Sequence, residues 1–201
     1  MEKIARTSLI LLLLAAGVSV PFLALRAAEQ VIIRRQASEE YRNAETGLVF
    51  PARVDAFEKV MVRVNPTPEI GVSVSYEDES GNLADVYIYR NGEPFEEHAE
   101  KTFRRILDAP KQSRLIRSSE ALGEPETANG VFSAVFRMAV EGETLISRLT
   151  LFQKNGYYVK IRVTNPETAE QDGDFARMFA AAVMEQKNAT EKTSITSGAE
   201  K

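Results

Sequence analysis

Apolar and polar positions along the chain form three kinds of pattern. The first is an uncharged run from Thr7 to Leu25, preceded by Lys3 and Arg6. Its length approaches the ~20 residues that span a bilayer as a helix, and its basic start is that of an export signal. Gly17 and Pro21 interrupt it, which weakens a straight spanning helix. Cleavage is expected after Gly17, with Ala15 at minus three, or after Ala27, with Leu25 at minus three. If residues 1–27 are retained as an anchor, Lys3 and Arg6 stay on the cytoplasmic side and the rest faces outward.

The second pattern is alternation with period two, the signature of half-buried strands. Phe57 to Val64 sets Val60, Val62 and Val64 against Lys59, Met61 and Arg63. Gly71 to Tyr76 sets Val72, Val74 and Tyr76 against Ser73 and Ser75, and Glu77 to Asn82 forms a turn. Ala84 to Arg90 sets Val86 and Ile88 against Tyr87 and Tyr89. Further on, Val131 to Val140 puts Phe132, Ala134, Phe136, Met138 and Val140 on one face. After Glu141-Gly142-Glu143, Thr144 to Phe152 opposes Leu145, Leu149 and Leu151 to Arg148. Asn155-Gly156 is a type I′ hairpin turn, since both residues tolerate positive φ. Tyr157 to Val163 then sets Val159, Ile161 and Val163 against Tyr158, Lys160 and Arg162.

The third pattern has helical period. Phe95, Ala99, Phe103, Ile106 and Leu107 form one stripe after Pro94, and Pro110 ends it. Phe175, Met178, Phe179, Ala182 and Val183 form another, within about Asp172 to Gln186. Residues 113–127 are ambiguous, with a short strand from Arg114 to Ser118. The predicted order is βββ-α-βββ-α. Short connections imply antiparallel pairing, so the predicted fold class is α+β, an antiparallel sheet of about six strands with two packed helices. Residues 28–46 read as a polar spacer, 47–187 as a single α+β domain and 188–201 as a disordered tail.

Four stretches carry a resemblance: Phe50-Pro51 leading into Phe57, Gly71 to Tyr76, Asp85 to Tyr89, and Tyr158 to Arg162. They resemble a group of secreted bacterial proteins without an assigned activity. The order of strands and helices is similar to the PsbP-like fold of extrinsic photosystem proteins. The resemblance spans roughly residues 46–187. It implies an architecture and an accessory or binding role, and brings no functional residue with it.

Composition narrows the picture. The chain has no cysteine, which excludes lipidation at the cleavage site and disulfides, so the domain must be held by its core. Net charge is −4. Removing residues 1–27 takes away Lys3, Arg6 and Arg26 against Glu2, which moves it to −6. That acidity argues against nucleic acid as a partner.

Motifs for chemistry are sparse. His98 is the sole histidine, beside Glu96, Glu97 and Glu100, and reads as an exposed helix residue. Ser113, Ser118 and Ser119 lack the setting of an activated nucleophile. Glu77, Asp78 and Glu79 lack the alternating spacing of a calcium loop. Asn188-Ala189-Thr190 matches a glycosylation acceptor, read as chance. No cofactor or metal is expected. One feature stands out: the positions opposite the apolar rows carry Lys59, Arg63, Tyr87, Tyr89, Arg137, Arg148, Tyr158, Lys160 and Arg162. A solvated face of an antiparallel sheet is the plain account. The sharper one is a basic, aromatic surface binding an anionic ligand or an envelope protein.

The function expected is therefore an exported, non-enzymatic binding or accessory domain of the bacterial cell envelope, in the periplasm or outside. The alternatives are an enzyme with a dispersed site, and an envelope stress factor tethered by residues 1–27.

Overall fold

The computed structural model describes residues 32–34, 39–65, 71–168 and 175–182. The export segment, the glycosylation match and the polar tail lie outside the described residues. Among the described residues no helix is long and apolar enough to cross a membrane.

Among the described residues twelve strands come in chain order: β1 (Ile32–Arg34), β2 (Tyr41–Arg42), β3 (Val49–Phe50), β4 (Arg53–Val54), β5 (Phe57–Val64), β6 (Val72–Glu77), β7 (Leu83–Tyr89), β8 (Ile116–Ala121), β9 (Glu126–Ala128), β10 (Val131–Val140), β11 (Glu143–Lys154) and β12 (Tyr157–Pro166). Helix α1 (Phe95–Leu107) and the single turn α2 (Ala109–Gln112) lie between β7 and β8. Residues 175–182 are helical and are called α3. Ten strands form one sheet, ordered β1-β5-β6-β7-β12-β11-β10-β8 with β4 beside β5 and β9 beside β10; β2 and β3 form a separate ribbon. Every described pairing is antiparallel. The class is α+β, as the patterns imply, but the six expected strands are only the long ones. The added strands have two or three residues, except β8, and runs that short show no period. Two of them, β1 and β2, lie in the stretch read as a spacer, so the fold reaches back before residue 47.

Two three-stranded meanders, β5-β6-β7 and β10-β11-β12, join through β7 and β12. The apolar rows of β5, β6, β7 and β12 point to one face of the common sheet, and those of β10 and β11 to the other. Val62, Val74, Tyr76, Ala84, Val86, Ile88, Val159, Ile161 and Val163 pack with Phe175 and Phe179 on the α3 face. Phe132, Phe136, Met138, Leu145, Leu149 and Leu151 pack with Ala99, Phe103 and Ile106 on the α1 face. Phe103 approaches Phe136 with ring centroids 5.4 Å apart, and Phe175 approaches Phe57 at 5.0 Å. Met178, placed on the α3 stripe by spacing, is exposed; Phe175 and Phe179 suffice to fill the sheet side.

The Asn155-Gly156 hairpin has φ of 52° and 78°, and Glu141-Gly142 repeats it at 51° and 92°. Both link directly paired residues, Lys154 with Tyr157 and Val140 with Glu143. Their backbone twist matches that of the flanking strands.

One irregularity matters for side-chain placement. Against β6, the register of β5 steps from Lys59 opposite Tyr76 to Met61 opposite Ser75. Val60 is the extra residue of a bulge, which reverses alternation along the strand. Lys59 therefore lies on the α3 face with Phe57 and Val62. It is 0% exposed, and its ammonium donates to the carbonyl of Glu39.

Candidate functional site

Cross-strand register builds the site on the α1 face. One row runs Lys160, Tyr87, Ser73, Arg63 over β12, β7, β6 and β5; the next runs Arg162, Asp85, Ser75, Met61. Helix α1 crosses from β7 to β8, so its apolar stripe covers β10 and β11 and leaves these rows beside it. Polar residues are therefore tolerated here, where among the described residues the apolar stripe of α1 packs on β10 and β11 instead.

Lys160 is half-buried. Its Nζ stands 4.2 Å from the Tyr87 ring centroid and 5.9 Å from that of Tyr89. The negative ring faces attract the cation. Burial, with Arg162 and Arg105 adding to it, brings the amine down to about 8 against the opposing pull of Asp85. Asp85 is 3% exposed. Its Oδ1 accepts a 2.5 Å hydrogen bond from Ser75, and its buried Oδ2 has no hydrogen-bond partner among the described residues. Burial pushes this carboxyl up, while the Ser75 hydrogen bond and then Arg162, Lys160 and Arg63 oppose that shift.

Arg162 faces Asp85 in register but turns the other way. Its Nε and Nη2 donate to Ser147 Oγ at 3.2 and 2.7 Å, and Nη2 lies 3.4 Å from Met138 Sδ. None of the ion pairs among the described residues includes Arg63, Lys160 or Arg162. The rows thus hold three cations against one buried carboxyl, an electropositive patch on an acidic protein.

His98 closes the end nearest α1. It is buried, correcting its reading as an exposed helix residue. Position 98 follows Phe95 by three, so it flanks the same stripe, and polar partners await it there. Nε2 lies 2.8 Å from Tyr89 Oη and Nδ1 2.8 Å from Asn91 Nδ2, with Glu93 Oε2 at 3.3 Å. Its ring packs on Tyr158 at 4.3 Å, and Tyr158 Oη donates to the Glu93 carbonyl. Burial lowers the imidazole, and Glu93 only partly opposes it.

Of the nine residues singled out in the sequence, Arg63, Tyr87, Tyr89, Tyr158, Lys160 and Arg162 share the α1 face. Lys59, Arg137 and Arg148 do not, which corrects their grouping. The bulge moves Lys59. Arg137 and Arg148 sit opposite apolar rows, but on β10 and β11 those rows face α1, so the pair faces the other side. Arg137 donates to Glu120 and Glu167, each at 2.9 Å, and is neutralised there. Tyr158 is fully buried beneath α1 and supports the site without lining it. Sequence reasoning undervalued Asp85, Ser73, Ser75 and Ser147. An acid between Ala84 and Val86 in a buried strand is the signal that marks Asp85. Asp78, in the acidic turn, spends its carboxylate on Asn82, accepting from its backbone N–H at 2.8 Å and its amide at 2.7 Å.

No family model matches the chain, and no curated protein matches it. Among solved structures, cyanobacterial PsbP from Synechocystis sp. PCC 6803 is similar with a TM-score of 0.39 and 12% identity, covering 74% of this chain and 88% of that one. Likeness at that level assigns neither ligand nor activity.

Proposed function

We propose that the chain is an exported binding domain that captures a small anionic ligand on the Lys160-Tyr87-Ser73-Arg63 row. The observation that carries this reading is the half-buried Lys160 ammonium, held over two tyrosine rings without an ion-pair partner among the described residues. A half-buried cation without a counter-charge costs stability, and a ligand carboxylate or phosphate supplies that charge. Arg63 offers a planar fork at the other end of the row, and Ser73 a hydroxyl between. Asp85 is a weak counter-charge to the row, because burial disfavours its charged form against the opposing pull of the Ser75 hydrogen bond and the nearby cations. The address of residues 1–27 directs this domain to the periplasm or the exterior.

The test is thermal stabilisation by citrate and inorganic pyrophosphate at low ionic strength. Either anion raises Tm of the wild type in a saturable way. Lys160→Met starts equal or more stable, by up to ~2 kcal/mol, and loses the anion response. A wild type indifferent to both anions, or a Lys160→Met variant that still responds, refutes the reading.

A further inference from the structure

We infer that Asn129-Gly130 is a site of spontaneous deamidation, and that its isoaspartyl product releases β9 from the sheet. The inference is independent of the anion-binding reading. The chain carries three Asn-Gly pairs, Asn91-Gly92, Asn129-Gly130 and Asn155-Gly156. In each, glycine offers its backbone nitrogen to the asparagine side chain with no Cβ in the way. Local sequence ranks the three alike, and the structure separates them.

Asn91 is locked. Its Oδ1 accepts from the Glu93 backbone N–H at 2.8 Å, and its Nδ2 lies 2.8 Å from His98 Nδ1. With both ends of the amide held, its carbon is not free to turn toward Gly92. Asn129 and Asn155 are exposed, and among the described residues neither side chain makes a hydrogen bond. Each has φ of 52° and opens a two-residue turn between paired residues, Ala128 with Val131 and Lys154 with Tyr157. Attack by the glycine nitrogen needs a rotation about the Asn Cα–C bond that a closed turn holds back, so the reaction runs through local opening.

The two hairpins differ in what opening costs. Asn155 joins β11 to β12 through ten register pairs, and each of these strands has a second neighbour, β10 and β7. Asn129 joins β9 to β10 through three register pairs. Among the described residues β9 pairs with β10 alone, and Glu126, Thr127 and Ala128 are all exposed. Detaching β9 therefore breaks few hydrogen bonds and uncovers no buried side chain of its own.

The step balances with water as the co-reactant. The Gly130 nitrogen gives up its proton and bonds to Asn129 Cγ. The Cγ–Nδ2 bond breaks, and Nδ2 leaves as ammonia with that hydrogen. Water then adds to one of the two carbonyls of the succinimide ring and opens it. Addition at Cγ gives aspartate, addition at the backbone carbonyl gives isoaspartate, and nothing is oxidised or reduced. Aspartate keeps the turn, since it tolerates the left-handed conformation as asparagine does. Isoaspartate routes the backbone through Cβ and Cγ, and the added atom spoils the two-residue geometry that sets Ala128 opposite Val131.

The experiment incubates the folded full chain in mildly alkaline buffer and follows the three Asn-Gly peptides by mass mapping, beside a sample unfolded in guanidinium chloride. In the folded chain Asn129 is expected to convert at least about tenfold faster than Asn155, with Asn91 slowest. In the unfolded sample the three rates converge. Hydrogen exchange is then read on the converted protein, because isoaspartyl and aspartyl peptides separate chromatographically. The isoaspartyl peptide covering residues 126–133 loses protection, and the aspartyl one keeps it. Equal rates at Asn129 and Asn155 in the folded chain overturn the inference, as does an excess at Asn129 that persists in guanidinium chloride. Equal protection in the two peptides overturns the release of β9.

Discussion

His98 shows how one residue can tie an element to the sheet. Neutral imidazole can accept at one ring nitrogen and donate at the other, which suits Asn91 Nδ2 on one side and Tyr89 Oη on the other. A proton added to this ring turns the acceptor into a donor facing the Asn91 amide, in a setting already influenced by Lys160 and Arg105. Among the described residues Glu93 is the anion paired with His98, and it is shared with Lys101 at 2.6 Å. Because the folded pKa lies below the ordinary ~6.5, the unfolded chain binds the extra proton first. Stability is therefore complete above about pH 6.5 and falls as pH drops toward the folded value. Thermal melts from pH 7.5 to 5 should show Tm declining below about 6.5. His98→Gln should start lower, since it loses the ring packing on Tyr158, and should be flatter over that range. An equal slope in the variant would assign the decline to other groups.

At the scale of elements, turn chemistry and close backbone approach set the strand pairing. Glu141 occupies a left-handed position, φ 51°, that Asn fills at lower cost. Glu141→Asn should therefore raise stability by ~0.5–1 kcal/mol, measured by urea unfolding with an unchanged m-value. Gly71 is the opposite case. Its φ is 64°, and a Cβ there would come within 1.8 Å of the Ile88 carbonyl oxygen. Gly71→Ala must move β6 away from β7, next to Tyr87 and Tyr89. A loss of more than about 2 kcal/mol is expected in the same unfolding assay. Much of this level is readable from the residues. The long strands and α1 follow from period and from Asn-Gly or Pro punctuation, and β5, β10 and α1 have the expected bounds. The bulge at Val60 has no such mark. It comes from how β5 meets β6, and it alone carries Lys59 into the core.

At the scale of the molecule, the sheet has two half-cores, each capped by its own helix. This arrangement explains why the nine-residue basic face is split. Each strand shows its own apolar side, but the side that faces a given helix changes between β12 and β11. Arg162 and Arg148 both oppose apolar rows within their strands, yet emerge on opposite faces. The site exists because α1 covers only part of its face, leaving β5, β6, β7 and β12 to carry charge there. The address of residues 1–27 is tested at the same scale. Intact mass of the protein recovered from a bacterial envelope or periplasmic fraction should give a mature N-terminus at Val18 or Ala28. Recovery of the intact chain in the membrane fraction would show a tethered domain, and in the cytosol a chain that is not exported.

Local patterning by itself determined the α+β class, the long strands, α1 and the two Asn-Gly or Glu-Gly hairpin positions. It did so because periodicity and turn residues act over a few neighbours. Tertiary structure alone decided that Lys59 is buried, that His98 is held by Tyr89 and Asn91, and that Asp85 lies beside Lys160. Those outcomes depend on register between strands distant in sequence and on which helix covers which face. Each is set by packing over the whole sheet rather than by any one segment.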